Sequence, residues 1–212
     1  MPDSKVEGNA TLTKEPYATY LSFLERVLTP PRLRHSLGVM QVMVELAQVY
    51  ALDAEQARTA GLLHDAAKDL PEAQWAQLVQ EGEIELRCAE DQDYVFYLHG
   101  PVGAYFVRKE LGVDDPLVQD AIAMHTYYGQ GENWNHPLVW CLRFSDILEP
   151  NRDWREIPWL RQGAPRLRQL AYSGKLLEAA HLQASIVIEW FDTEHKPVHP
   201  HMRRFHEDHK EI

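Results

Sequence analysis

The sequence predicts an all-α fold, a single-domain helical bundle, and three observations support that class. Apolar residues recur every three or four positions, as at Val39, Val42, Leu46 and Val49, which is typical of an amphipathic helix. No run of alternating apolar and polar residues indicates a half-buried strand. The chain also has no internal repeat and no shift in composition that would mark a second domain.

Polar segments at the two ends limit the predicted domain. We expect a polar N-terminal tail over residues 1–14, the helical domain over 15–192 and a charged C-terminal tail over 193–212. The C-terminal segment is rich in histidine, but its histidines are irregularly spaced and mixed with Arg, Glu and Asp. This pattern favours a mobile natural tail over a metal-binding tract or an engineered tag.

Proline and capping residues set the predicted helix boundaries. Pro30 and Pro31 end the first helix, Asp53 is a suitable N-cap, and Pro101 near a first turn places His99 at a helix N-terminus. The helices predicted in this way cover residues 17–28, 32–52, 54–70, 72–80, 99–111, 116–125 and 138–148, followed by two that a glycine at 174 separates and that end near 191.

Breaker residues and polar clusters predict where the chain leaves helical structure. The acidic stretch 81–93 and the glycine-containing stretch 129–135 are expected to be loops, and 163–165 is expected to interrupt a helix. The apolar stripe Ile186, Val187, Trp190 and Phe191 of the last helix is expected to be core or a dimer face, not a ligand site.

Composition narrows the classes of partner. The formal net charge of 21 − 32 = −11 argues against a general nucleic-acid surface or a basic membrane patch. The two cysteines, Cys88 and Cys141, provide no disulfide framework and fit a reducing compartment. The most apolar run, 39–52, is too short and too polar for a membrane span. We therefore expect a cytoplasmic protein.

Two side chains that can bind metal occupy consecutive positions, His64 and Asp65. Ala57, Gly61 and His64 share one face of the predicted helix, and Asp65 lies about 100° further round. Lys68 follows one turn later. One helix can therefore offer an imidazole to one metal ion and a bridging carboxylate to a second. A single His-Asp pair is common by chance, so its meaning depends on partners elsewhere.

Further histidines and an aspartate supply those partners, each near a helix end or on an apolar face. The complete set is His35, His64, Asp65, His99, His125 and Asp146. A helical bundle can bring such residues together in its core. Imidazole and carboxylate donors without thiolate favour iron, manganese, zinc or a similar divalent ion. Six ligands are too many for one open catalytic site, and they suit two metal ions bridged by a carboxylate.

These motifs resemble the HD-domain superfamily of metal-dependent phosphohydrolases. The segments RHSLGVM, LLHDAAKDLP, HGPVGAYFV, MHT and FSDILEPNR are similar, more narrowly, to YqeK-type proteins, which hydrolyse diadenosine tetraphosphate symmetrically to two ADP. The resemblance runs from about residue 32 to 152 and continues weakly to KPVHP at 196–200. It implies a dinucleoside polyphosphate or another nucleotide as the ligand, and it leaves a homodimer open.

The resemblance also implies roles for individual residues. His35, His64, Asp65 and Asp146 would hold one metal ion, and His99 and His125 the other. Asp65 would bridge the two. The expected metal is iron, with manganese or another divalent ion as the alternative, and a hydroxide between the metals would be the nucleophile.

Further residues are expected to bind the substrate. Lys68 and Arg152 would neutralise phosphate oxygens in the transition state, so Lys68 joins Asp65 as a catalytic candidate. Thr126 and Asn151 are candidates for hydrogen bonds to phosphate or ribose.

One loop departs from the family pattern. After His125 and Thr126 the family usually has a short turn that contains an arginine, whereas residues 127–135 of this chain lack it and carry aromatic residues. Tyr127, Tyr128 and Trp134 are candidates to stack on a purine instead. The loop therefore bears on substrate choice and not on the metals.

Three other functions fit the same residues. A nucleotidase acting on nucleoside mono- or triphosphates would use the same two-metal site. Related scaffolds with mixed-valent iron act as di-iron oxygenases, although Lys68 and Arg152 favour a phosphate substrate. A nucleotide-binding regulator would keep the metals without turnover, which the complete ligand set argues against.

Overall fold

The computed structural model describes residues 14–129, 133–152 and 156–211, and the regular structure within these ranges is entirely helical. The predicted all-α class is confirmed. Residues 1–13 of the expected tail and 130–132 of the expected loop lie outside the described residues. The helices are α1 (Lys14–Val27), α2 (Pro30–Val49), α3 (Ala54–Leu63), α4 (Glu72–Glu81), α5 (His99–Leu111), α6 (Pro116–Met124), α7 (Pro137–Leu148), α8 (Pro158–Tyr172), α9 (Leu176–Thr193) and α10 (Pro200–Asp208). None of these helices combines the length and the apolar character that a membrane crossing requires.

Helix α7 is the centre of the bundle because it is buried on all sides. Ten of its twelve residues are buried, and it packs against α2, α3, α6, α8 and α9. A helix that is apolar all round is stable only when other helices surround it. Asp146 lies near the end of this helix, so the packing of α7 carries a carboxylate into the middle of the bundle.

Helices α2 and α3 approach closely because α3 carries a glycine at the contact. A Cβ added to Gly61 would lie 2.8 Å from Met40 Cα and 2.9 Å from Met43 Cγ. The first of these atoms is backbone and cannot move aside as a side chain can. The glycine therefore sets the distance between the helix that carries His35 and the helix that leads to His64.

The periodicity predicted that the His-Asp motif lies inside one long helix, and this prediction is wrong. Helix α3 ends at Leu63, and residues 64–69 continue as tight turns. The backbone bonds there connect residues three apart, as from Ala66 N to Leu63 O and from Lys68 N to Asp65 O. His64 and Asp65 are both buried, so the turns that follow α3 place both side chains in the interior of the bundle.

Helix α8 runs through the segment that was expected to interrupt it. Pro165 lies inside the helix, and Leu160, Ala164 and Leu167 form a buried face that packs on α9. Gly163 serves this packing, because a Cβ at that position would come within 2.4 Å of Ile186 Cδ1. Tertiary burial of the apolar face therefore outweighs the local breaker signal.

The C-terminal segment also differs from the predicted tail. Helix α10 begins at Pro200, and its residues Met202 and Phe205 are buried in the common core. Phe205 packs on Trp140 of the central helix with ring centroids 4.7 Å apart. The burial of these apolar side chains fixes the segment to the bundle.

His199 fastens this segment through both of its ring nitrogens. Its Nδ1 accepts a hydrogen bond from the backbone N–H of His201 at 3.2 Å, and its Nε2 donates to Asp91 Oδ1 at 2.8 Å. Asp91 belongs to the stretch 81–93 that was expected to be a solvated loop, and it is fully buried. The Cys88 thiol lies 3.5 Å from Nε2. Because both nitrogens of His199 are already engaged, we interpret this group as a structural clamp.

The close packing at Gly61 gives a prediction for stability. Alanine normally stabilises a helix interior relative to glycine by about 0.5–1 kcal/mol. For Gly61→Ala we expect the opposite, a loss of roughly 1–3 kcal/mol, because the new methyl group overlaps Met40. The free energy of unfolding measured in urea tests this. Gly103→Ala is the matched control, since its nearest neighbours lie 3.5–3.8 Å away. Equal effects of the two substitutions would contradict the packing argument.

Candidate metal centre

The structure brings the six predicted ligand residues together around Asp65. Oδ1 of Asp65 lies 3.3 Å from His99 Nε2 and 3.8 Å from the Nε2 atoms of His64 and His125. Oδ2 lies 3.9 Å from His35 Nε2, which is in turn 3.1 Å from Asp146 Oδ1. The two oxygens of one carboxylate thus face two groups of donors.

The four histidines share one arrangement, in which Nδ1 is bonded outwards and Nε2 faces Asp65. Nδ1 of His64 bonds Gly61 O at 2.9 Å, Nδ1 of His125 bonds Ile122 O at 2.6 Å, and Nδ1 of His99 bonds Tyr94 O at 3.1 Å. Nδ1 of His35 lies 3.4 Å from Glu149 Oε1. A carbonyl can only accept, so Nδ1 carries the proton in the first three rings, and Nε2 of a neutral ring is a lone pair.

Helix ends explain why two of these rings are oriented in this way. His64 follows the last residue of α3, and His125 follows the last residue of α6. The final carbonyls of a helix have no N–H partner further along the chain. Each imidazole satisfies a carbonyl three residues earlier, which fixes the ring and directs its other nitrogen into the bundle.

One buried nitrogen of the ligand set lacks, within the described part of the chain, the hydrogen-bond partner that burial requires. His64 is fully buried, and its Nε2 has no hydrogen-bond partner among the described residues. Nε2 of His99 lies 3.2 Å from Nε2 of His125, so two acceptor atoms face each other. A buried acceptor without a donor costs roughly 1–3 kcal/mol. A cation bound by these atoms removes the penalty, so the donor set fits a divalent metal ion.

The pKa shifts keep the buried donors in the forms that bind metal. Burial lowers the pKa of His64 and of His125, and burial together with the Lys68 ammonium lowers the pKa of His99 to about 4. These three rings are therefore neutral at pH 7. Burial would raise the pKa of Asp65, but Lys68 and the neighbouring histidines hold it well below its usual value, so Asp65 is ionised.

Glu149 completes a carboxylate–histidine pair that the sequence reasoning did not identify. It is buried, its Oε1 faces His35, and its Oε2 accepts from the backbone N–H of Asn151 at 2.7 Å. Burial lowers the pKa of His35, but the hydrogen bonds that His35 donates to the Asp146 and Glu149 carboxylates raise it to about 9. Such an outer carboxylate orients a ligand histidine. Its position three residues after Asp146 was the available signal.

Arg143 is the second residue that the sequence reasoning missed. It is buried in α7, and its Nη2 and Nε donate to Met124 O at 2.6 and 3.2 Å. This carbonyl ends α6, immediately before His125. The guanidinium lies 4.2 Å from the Tyr127 ring centre. An arginine inside an otherwise apolar helix was the signal, since such a residue needs a fixed partner.

Two cationic side chains expected at the site lie beside the donors. Lys68 Nζ donates to Val95 O at 2.8 Å and lies 2.9 Å from His99 Nε2. Arg152 Nη2 donates to Asp146 Oδ1 at 3.0 Å. A third, Arg32, had not been expected, and its Nη1 lies 3.2 Å from Asp65 Oδ2. All three line a cavity of about 380 Å³ that opens on the donor cluster.

Of the two remaining predicted substrate residues, Thr126 lies at the cavity and Asn151 does not. Thr126 lines the cavity, and its hydroxyl donates to Tyr97 O at 2.7 Å. Asn151 does not line the cavity among the described residues; its Nδ2 donates to Arg34 O at 3.1 Å. Its amide therefore joins the segment after α7 to α2, and its expected role in substrate binding stays a prediction.

The aromatic residues of the divergent loop are engaged elsewhere. Tyr127 lines the cavity, but its ring covers Arg143 and its hydroxyl donates to Gln183 Oε1. Tyr128 donates to Glu85 O at 2.5 Å, and Trp134 packs on Phe205 at 5.7 Å. Neither Tyr128 nor Trp134 lines the cavity as described, so the expectation that they stack on a base is wrong.

The stripe that was expected to be core or a dimer face forms the opposite wall of the cavity. Ile186 and Phe191 are buried, as a core prediction requires, but all four members of the stripe line the cavity. Periodicity in the sequence shows that this face of α9 is covered, but it does not show which part of the molecule the face contacts. The orientation of α9 in the bundle decides that it lines the cavity.

Comparison with known proteins agrees with these motifs. A family model described as HD domain matches residues 32–153, more than half of the chain. Two relatives named symmetrical bis(5'-nucleosyl)-tetraphosphatase are each 32% identical. The one from Halalkalibacterium halodurans aligns over 68% of this chain and 74% of the relative, and the one from Bacillus subtilis over 62% and 68%.

A solved structure extends the similarity to the whole bundle. It comes from Clostridium acetobutylicum and is described as a "predicted HD superfamily hydrolase involved in NAD metabolism". Its TM-score is 0.79 at 29% identity, and the superposition covers 92% of this chain and 97% of that chain. The shared architecture therefore includes the C-terminal helices as well as the segment that the family model matches.

Because the buried lone pair of His64 Nε2 has no hydrogen-bond partner within the described ranges, we expect a bound divalent metal ion to stabilise the fold. Titrating manganese into protein freed of metal by chelation should raise Tm by roughly 5–10 °C at a hundredfold excess over Kd. His64→Ala should remove most of this rise, because it deletes the orphaned Nε2. His195→Asn is the control, since His195 is exposed and does not line the cavity. The same rise in wild type and His64→Ala would show that the metal binds elsewhere.

Proposed function

The chain belongs to the HD-domain family, and from that premise we propose that it is a metal-dependent phosphohydrolase that cleaves diadenosine tetraphosphate symmetrically into two ADP. The relatives from two bacteria carry this activity in their names. The observation that carries the proposal is the convergence of four imidazole Nε2 atoms on Asp65, beside Asp146 and three cationic side chains.

The proposal assigns the donors to two metal ions. His35, His64, Asp65 and Asp146 hold one ion, and His99, His125 and Asp65 hold the other. The orientation of Asp65 supports a bridging role, because Oδ1 faces His99 and Oδ2 faces His35. Imidazole and carboxylate donors suit iron, manganese, zinc or a similar divalent ion, and the resemblance to YqeK-type proteins favours iron among them.

The cavity is suited to a polyphosphate although the chain as a whole is acidic. Its lining contains the cations Arg32, Lys68 and Arg152 and the carboxylates Asp65 and Asp146. The charged lining is therefore net positive by one, whereas the whole chain carries −11. Bound metal ions would add positive charge and lower the pKa of water toward about 7, which supplies a nucleophile at neutral pH.

The chain's own residues hold and neutralise the phosphates in this proposal. Val95 O fixes Lys68 Nζ at the cavity wall, from where the ammonium can donate to a phosphate oxygen. Burial lowers the pKa of Lys68, and Asp65 opposes this shift. Arg152 is held by Asp146 on the other side of the cluster. Fixed cations on two sides stabilise charge that develops on a phosphoryl group between them.

Product analysis is the direct test of the reaction. Metal-loaded protein should convert diadenosine tetraphosphate to ADP alone, as resolved by ion-exchange chromatography. Asp65→Asn should lower kcat by at least about a thousandfold, because both donor groups lose their shared carboxylate. Asp114→Asn is the matched control on an exposed aspartate. AMP with ATP would show asymmetric cleavage, and free phosphate would favour a nucleotidase, so either result would contradict symmetric cleavage.

Lys68 should act on the transition state more than on metal binding. Lys68→Met should lower kcat by roughly 10²–10³, the usual cost of removing one preorganised donor. Metal content measured by elemental analysis should stay at the wild-type value. Lys175→Met, on an exposed lysine, should leave kcat unchanged. A loss of metal in parallel with activity in Lys68→Met would assign the lysine to the centre itself.

A further inference from the structure

Most of the apolar wall of the cavity comes from α8 and α9, which carry none of the candidate ligands. We propose that Trp159 and Trp190, with Phe96 at their side, form a platform on which one purine base of the substrate stacks. The phosphates attached to that nucleoside then lie against Lys68 and the donor cluster. This inference rests on the proposed function and names the part of the same cavity that recognises the base.

The three aromatic side chains form one fixed surface. Trp159 of α8 and Trp190 of α9 are stacked, with ring centroids 5.0 Å apart and planes 9° apart. Phe96 stands edge-on to Trp190 at 6.2 Å. Lys196 Nζ lies 4.8 Å from the Trp190 ring centre and 5.1 Å from the Phe96 ring centre. A base would therefore add to this stack from the Trp159 side. All three line the cavity and are only half-buried. Rings already held in place lose little conformational entropy when a base stacks on them.

The polar groups on this wall are hydrogen-bond donors. Nε1 of Trp190 is buried and has no partner among the described residues. Oε1 of Gln183 accepts from the Tyr127 hydroxyl, which leaves the amide NH₂ of Gln183 as the group available to a ligand. A hydrocarbon ligand would leave these donors without an acceptor, which would lower its binding free energy. The ring nitrogens of a purine are acceptors, so a base fits this wall better.

The platform adjoins the cationic end of the cavity. Val95 O holds Lys68 Nζ at 2.8 Å, and the next residue, Phe96, is part of the platform. Helix α7 makes the same transition, since Asp146 belongs to the donor cluster and Ile147 lines the apolar part. One nucleoside with its phosphates therefore spans from the platform to the metal ligands.

The cavity volume favours one nucleoside over two. About 380 Å³ lies at the lower end of the roughly 300–1,000 Å³ that small-molecule sites enclose. Symmetric cleavage needs only one half of the substrate to be fixed, because both halves yield the same product. The platform thus accounts for recognition of the base without a second pocket.

The test compares two ligands that differ by the nucleoside. We would measure Kd for ADP and for inorganic pyrophosphate by calorimetry with manganese-loaded protein, in wild type, Trp159→Ala, Trp190→Ala and Trp190→Phe. The control is Trp134→Ala, since Trp134 packs on Phe205 and does not line the cavity. KM and kcat for diadenosine tetraphosphate are measured on the same proteins.

We expect Kd for ADP to rise about tenfold or more in each alanine variant, the size of one base–aromatic stack. Kd for pyrophosphate should stay within about twofold. Trp190→Phe keeps an aromatic ring but loses the Nε1 donor, so it should weaken ADP binding less than Trp190→Ala does. KM should rise while kcat changes little. Equal weakening of ADP and pyrophosphate, or no change in either, would overturn the platform.

The result also separates this inference from the proposed reaction. If wild type does not cleave diadenosine tetraphosphate but ADP affinity still falls selectively in Trp190→Ala, the reaction is wrong and the base platform stands. If cleavage to ADP is confirmed and the tryptophan variants bind ADP as wild type does, the reaction stands and the platform is wrong.

Discussion

The site depends on the outward hydrogen bonds of the histidine Nδ1 atoms. An imidazole presents a lone pair at Nε2 only when its other nitrogen keeps the proton, and the fold supplies an acceptor for that proton at His64, His99 and His125. Two of these acceptors are carbonyls near helix ends that need a donor in any case. The same bonds that complete the helix ends therefore aim the metal donors, and neither role requires an additional residue.

Burying these charged side chains costs stability, and neighbouring groups of opposite charge or polarity reduce that cost. Asp65 is ionised and buried, and Lys68 and Arg32 lie beside it. Arg143 is buried, and no carboxylate within the described part of the chain pairs with it. Burial lowers its pKa to about 10, and Met124 O and two aromatic rings hold it. Buried charges without a partner destabilise a fold. The central helix α7 supplies both Arg143 and Asp146, so its burial is coupled to the geometry of the site.

The cavity combines two kinds of wall that come from different parts of the chain. Helices α2, α3 and α7, with the residues around α5 and α6, provide the donors and cations, and α8 and α9 provide the aromatic surface. A nucleotide has the same division, with charged phosphates at one end and an apolar ring at the other. The charged and aromatic parts of the cavity correspond to the phosphates and the base of a nucleotide, and this correspondence supports the proposal of a nucleotide substrate.

The sequence by itself determined the helical class and the six donor residues, because periodicity, capping and residue type are local properties. It also placed His99 at a helix start, where Pro101 favours that boundary. It did not determine that α3 stops at Leu63, that α8 passes through Pro165 or that α10 packs on Trp140. Those outcomes depend on which apolar faces meet. The tertiary structure alone decided that Glu149 supports His35 and that Trp190 faces the cavity, because a side chain's partner is set by neighbours distant in sequence.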